Sequence, residues 1–154
     1  MLKTTIAVVV AVTAILLSGT FTPYSYALGD YDFLDEWGEF GIMTPGHLSH
    51  PQYIAVDAEG NSYISDLGNK RIQKFSSTGQ FLLEFGESGR LAGQFHHPSG
   101  IAVDSEHVYV ADQNLHKIQK FTLDGMFVDE WGKYGNNAGE FKSPKDIAVD
   151  SDHV

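Results

Sequence analysis

The heptapeptide Pro-x-x-Ile-Ala-Val-Asp occurs three times in this chain, at residues 51–57, 98–104 and 144–150, with the prolines 47 and then 46 residues apart. A fixed period of that size marks a repeat architecture, in which each unit buries its apolar face against the next. The match runs well past the heptapeptide. Asp66 falls on Asp112, residues 72–75 on 118–121, Gly79 on Gly125, Phe81 on Phe127, and residues 84–86 on 130–132. The second copy is one residue shorter, and the loss lies between Asp57 and Asp66.

Within a copy, four short β-rich runs are separated by Gly, Asn, Asp and Ser. In the first copy they are 53–56, 62–65, 71–75 and 80–85, with turn residues at 59–61, 67–69 and 77–79. This punctuation predicts an all-β chain of tight hairpins. Four strands in about 46 residues is the size of one β-propeller blade. The apolar Ile-Ala-Val suits the innermost strand of such a blade, and the charged outer run, as in Glu84 or Asp129 and Glu130, suits the outermost. No helical period appears after the N-terminus.

Pro51 with Ile54-Ala55-Val56-Asp57, then Asp66, then Asn69-Lys70-Arg71-Ile72-Gln73-Lys74-Phe75, then Gly79 and Phe85-Gly86, resembles the NHL repeat. The resemblance covers residues 33–154. It implies an NHL-type propeller with four-stranded antiparallel blades, most often six to a ring, of which this chain carries about two and a half. The second copy departs from the pattern: Leu115 stands in the Asn69 place and Lys117 in the Arg71 place.

The organisation that follows is 1–27 leader, 28–50 N-terminal segment, 51–97 first repeat, 98–143 second repeat and 144–154 start of a third. Lys3, the uncharged apolar run 6–17 and Ser25-Tyr26-Ala27 form a secretory signal pattern with small residues at the cleavage positions. Its apolar run is about a dozen residues, short of the ~20 that a membrane-spanning helix needs. An uncleaved N-terminal anchor is the other reading, and the expected location is extracellular or cell-surface. The segment 33–37 repeats the last strand of a blade and is expected to close a ring. The sequence ends inside the third copy, so the expectation is a fragment that needs further blades, or other copies, to close. With no cysteine, neither disulfides nor thioether lipidation contribute.

A formal charge of −10 argues against nucleic acid as a partner, because phosphate binding needs a basic excess. The basic runs Lys70-Arg71-Lys74 and Lys117-Lys120 read as solvated strand faces. Pro51, Pro98 and Pro144 open the inner strand, and Asp57, Asp104 and Asp150 end it. These aspartates, together with Asp66 and Asp112, recur with the repeat, which suits turn chemistry better than catalysis. Asp66 faces Arg71 across a turn. His50 and His97 hold equivalent places before the prolines, and imidazoles converging from several blades would suit a divalent metal, although the third copy has Ser143 there. Trp37, Phe85 and Trp131 each precede a glycine and read as packing between blades, with ligand stacking the sharper idea. No catalytic set recurs, and no cofactor is expected beyond that possible metal. The reading is an exported binding scaffold for a protein, peptide or glycan. The alternatives are a propeller lyase or hydrolase with a channel metal, and a non-functional fragment.

Overall fold

The computed structural model describes residues 36–150. The leader at 1–27, most of the strand read at 33–37 and the last four residues of the third copy lie outside them. The described chain is all β. A short parallel pair, β1 (Glu39–Phe40) with β2 (His47–Leu48), leads into a four-stranded sheet of β3 (Pro51–Val56), β4 (Ser62–Asp66), β5 (Arg71–Phe75) and β6 (Phe81–Phe85). A second parallel pair, β7 (Glu87–Ser88) with β8 (Gln94–Phe95), leads into a second sheet of β9 (Pro98–Val103), β10 (His107–Asp112), β11 (Lys117–Thr122) and β12 (Phe127–Trp131). Both sheets are antiparallel meanders in sequence order, as expected for propeller blades.

The parallel pairs were not foreseen. They form where the chain leaves one blade and enters the next, and a third instance is the bridge between Tyr134 and Phe141. Each folds the crossover into a loop on one edge of the blades. That edge also carries the β4–β5 and β10–β11 turns and the three repeat prolines, and is called the proline edge below. The opposite edge holds the turns after Asp57 and Asp104 and is called the aspartate edge.

Between the blades lies a core of Tyr63, Ile72, Phe85, Phe95, Ile101, Val108, Val110 and Phe121, all buried. Each such side chain withdrawn from water contributes roughly 1.5–3 kcal/mol. Position within the stack decides burial. Ile101 in β9 is 5% exposed because the first blade covers it, whereas its equivalent Ile54 in β3 is 39% exposed. On the other face of the second blade, Tyr109, Ala111 and Ile118 pack against Trp131, Phe141, Ile147 and Val149.

The third copy differs from expectation. Residues 147–149 were read as an inner strand, but they form no ladder, since no described residue pairs with them as a second strand. The segment instead lies against β9, where Gly100 donates its N–H to the Lys145 carbonyl (2.9 Å) and the Ser99 hydroxyl donates to the Pro144 carbonyl (3.2 Å). A Cβ on Gly100 would sit 2.4 Å from Cα of Asp146, so only glycine admits this approach.

Aromatic rings lock one blade to the next. Phe85 ends the first blade and lies over Gly125 in the β11–β12 turn of the second, and Trp37 lies over the equivalent Gly79. Both glycines have φ near +80° (80° and 76°). A Cβ at Gly125 would come within 2.6 Å of the Phe85 ring, while one at Gly139, also at positive φ, would meet nothing within 4 Å. Gly139→Ala is therefore expected to cost only the left-handed backbone penalty, about 1–2 kcal/mol. Gly125→Ala adds displacement of a buried ring and should cost clearly more. Urea unfolding of the two variants checks the order, and equal losses would remove the ring's part in it.

Candidate functional site

On the proline edge the first two crossover loops are each clamped by a glutamine of the blade that follows. Gln73 in β5 accepts from the Gly46 N–H (2.8 Å) and donates to the His47 carbonyl (2.7 Å). Gln119 in β11 repeats this on Gly93 N–H (2.8 Å) and the Gln94 carbonyl (2.8 Å). Both glutamines are fully buried, which is possible because their amides are used at both ends.

Asp66 and Asp112 are the buried anchors beneath these loops. Asp66 accepts from the Ser49 N–H (2.8 Å), the side-chain amides of Asn69 (2.7 Å) and Gln73 (3.1 Å), and Nε of Arg71 (3.0 Å). Asp112 takes a different set, the backbone N–H groups of His96, His97, Asn114 and Leu115. The expected Asp66–Arg71 pair is present. The solvated reading of the basic runs is corrected at two positions, because Arg71 is 3% and Lys117 7% exposed. Arg71 also donates to Glu84 (2.6 Å) and to the carbonyls of Thr44 and His47, and Lys117 donates to Glu130 (2.6 Å). These partners are 13 to 27 residues away in sequence, so no local pattern announced them.

At the aspartate edge the repeat builds a second constellation twice. Asp57 accepts from the Glu59 and Asn61 amides, and its other oxygen accepts from the Tyr63 hydroxyl (3.3 Å). Asp104 does the same with Glu106, His107 and the Tyr109 hydroxyl (2.8 Å). Lys74 and Lys120 stand over the two tyrosine rings at 4.9 and 5.5 Å. Burial works against the charge on Asp104, but the Glu106 amide, the Tyr109 hydroxyl and the His107 amide donate to it and hold its pKa below the ordinary carboxylate value. Burial, then the bond to Asp104 and its charge, push Tyr109 up to about 12. Tyr63 is pushed up by burial and by Asp57.

The signs follow. A lowered folded pKa gives stability that is complete above the unfolded carboxylate value, about 4, and is lost as the pH falls through the folded one. A raised tyrosine pKa gives stability that is complete below about 10 and is lost as the pH rises through about 12. Tyr109→Phe is expected to flatten the alkaline limb of a Tm-against-pH profile and to weaken the acid limb. An unchanged alkaline limb would refute this role.

The candidate metal residues are on the proline edge. His50 Nδ1 lies 3.3 Å from the Ser49 hydroxyl, and His97 faces Lys70, Asp112 and His96, with burial and Lys70 lowering its pKa. Among the described residues no three His, Asp or Glu side chains form a group that could hold a metal ion. Pro51, Pro98 and Pro144 stand at the entry to their inner segments, and Asp150 is exposed at the end of the third. Trp131 lines an open apolar cleft of about 300 Å³ with Ile118, Phe141, Pro144 and Ile147. No buried side-chain nitrogen or oxygen among the described residues lacks a partner. No helix there is long and apolar enough to cross a membrane.

Comparison with known proteins places this geometry. The family model for the NHL repeat matches residues 95–121. Over 68 residues the chain is 38% identical to Protein brain tumor of Drosophila melanogaster, covering 44% of this chain and 6% of that protein. Over 46 residues it is 39% identical to the B-box type zinc finger protein ncl-1 of Caenorhabditis elegans, covering 30% of this chain and 5% of that protein. Among solved structures, a streptogramin B lyase superposes with a TM-score of 0.53 at 23% identity, over 72% of this chain and 34% of that one. A catalytically inactive virginiamycin B lyase from Staphylococcus aureus, with quinupristin, gives 0.50 at 20% identity, over 69% and 33%. At such identities the likeness to the lyases is one of fold.

Proposed function

From a chain that carries the NHL repeat and folds as the blades of a β-propeller, we propose an exported binding scaffold that engages a protein, peptide or glycan partner through its crossover loops. One observation carries the reading. The buried polar side chains of both repeats are spent on holding blades and loops, while the loops themselves present large apolar groups to solvent. Phe40, Leu91 and Tyr134, one in each crossover, are 70%, 71% and 65% exposed. Isolated exposed apolar residues are ordinary, but one in each of three successive crossovers, with Phe40 and Tyr134 at the equivalent place beside the parallel pairing and Leu91 a few residues further along its loop, suits a recognition surface.

Export rests on the leader pattern at 1–27. It is tested by N-terminal sequencing of protein from the extracellular fraction, with Leu28 expected as the first residue. The binding reading is tested by chemical cross-linking of the full chain in that fraction, followed by mass spectrometry. Phe40→Ser, Leu91→Ser and Tyr134→Ser together should abolish the cross-linked partner while leaving Tm within a few degrees. Retention of the partner in that variant would overturn the reading. Stoichiometric divalent metal with a chelator-sensitive hydrolase or lyase activity would replace it with the enzymatic one.

A further inference from the structure

The sequence has seven histidines, and five of them, His47, His50, His96, His97 and His116, lie on the proline edge. The loops of that edge also carry Lys70, Arg90, Lys133, Lys142 and Lys145 against Glu36, Glu39, Glu87, Glu140 and Asp146. With neutral imidazoles these charges balance. The loops of the aspartate edge carry Asp57, Glu59, Asp104, Glu106 and Asp124 and no Lys or Arg, although Lys74 of β5 reaches Asp57 (3.8 Å) and one histidine, His107, lies beside Asp104 and Glu106. The two edges are therefore charged differently, and only the proline edge gains much positive charge on mild acidification, since imidazole titrates near 6.5.

The surroundings sort the five. His116 Nδ1 accepts the Ser143 N–H (3.1 Å), and its ring lies 5.0 Å from Tyr134, so protonating Nδ1 breaks a bond. Burial, then Lys70, hold His97 neutral to lower pH. His47 Nδ1 lies 3.3 Å from the Phe40 carbonyl and 3.9 Å from the Glu39 carboxylate. His50 faces the Ser49 hydroxyl and His96 the Asn114 amide (2.9 Å), groups that can turn an oxygen toward an imidazolium. The exposed apolar groups Phe40, Ile42, Met43, Leu91 and Tyr134 stand in the same loops.

We propose that the proline edge docks an acidic peptide segment bearing apolar side chains, and binds it more tightly as the pH falls through about 6. This rests on the scaffold reading and names its face and partner chemistry. An anionic membrane fits less well. Glu39, with its side chain 81% exposed, is next to Phe40, and Glu87 and Glu140 share loops with Leu91 and Tyr134. Insertion of those tips would carry carboxylates into anionic headgroups, whereas a peptide can run between them.

The probe is a rhodamine-labelled 14-residue peptide alternating Glu with Leu and Phe, titrated with the full chain by fluorescence anisotropy. Affinity is expected to rise about threefold or more from pH 7.5 to 5.5. His50→Asn with His96→Gln, two of the five imidazoles, should reduce that rise, Asn being chosen because His50 sits at φ 52°. Leu91→Ser with Tyr134→Ser should weaken binding at both pH values, and Glu59→Gln with Glu106→Gln should leave it unchanged. A peptide with Lys for Glu should fail to bind. Equal affinity at both pH values, no effect of the histidine pair, or binding to phosphatidylserine vesicles but not to the peptide would overturn the proposal. A natural partner captured by the chain but lost with the aspartate-edge pair would overturn this assignment and leave the scaffold reading standing.

Discussion

Asp66→Ala is expected to destabilise the fold by about 3 kcal/mol or more, a large share of the stability of a domain this size. The carboxylate is fully buried and four donors converge on it, one of them the guanidinium of Arg71, itself 4% exposed as a side chain. Removing the acceptor leaves the buried Ser49 N–H without its partner and takes one of two acceptors from each of the Asn69 and Gln73 amides, which keep the Gly41 and His47 carbonyls. It also strips one of two carboxylates from a buried cation. Glu84 still holds Arg71, which keeps the loss from being larger. Asp112→Ala removes an equivalent residue with a different load, since Lys117 is paired to Glu130 instead. Its orphans are backbone N–H groups at a loop, some within reach of water, and a loss of about 2 kcal/mol is expected. Urea titrations followed by the fluorescence of Trp37 and Trp131 compare the two. A cost below about 1 kcal/mol for Asp66→Ala would mean that the network is not an anchor.

The second large effect is at the blade interface. Phe121 is 1% exposed and its ring lies 4.9, 5.6 and 5.9 Å from those of Phe85, Phe95 and Phe127. Phe121→Ala removes the side chain that joins both blades and is expected to cost about 3–5 kcal/mol. Phe121→Leu keeps most of the volume and should cost about 1–2 kcal/mol. Phe127→Ala, at the half-exposed margin of the same cluster, should cost about 1 kcal/mol. If all three cost the same, the cluster is not the junction that the geometry describes.

The blades were legible because their signals are local and repeat. Pro51, Asp57, Gly79 and their copies mark where strands start and turn, and the strands fall within a residue or two of the expected bounds. The pairing of Asp66 with Arg71 was legible for the same reason, being five residues apart across one turn. What escaped were contacts between distant segments. Arg71 and Lys117 looked like surface residues because a cation at a strand start usually is one, and their acceptors come from the next strand and from the preceding crossover loop. The parallel pairs at β1–β2 and β7–β8 are two residues long and carry no alternation to detect. The candidate site was less legible still. His50 and His97 drew notice by preceding the prolines, yet the proline edge takes its character from loops that the repeat pattern passes over. Neither Phe40 nor Leu91 belongs to the repeated phrase.

The aromatic locks between blades have a further meaning for how such a chain grows. Phe85 belongs to one sequence repeat and Gly125 to the next, and Trp37 and Gly79 are separated in the same way. The unit that is copied is therefore out of phase with the unit that is stable. A cut at the prolines would part every ring from the turn it covers. A duplication of any 46-residue window instead supplies a ring at one side and a glycine at the other, whatever its starting point. Blades can then be added or lost between existing ones while every junction keeps the same pair of residues, so blade number can change without redesign of the interfaces.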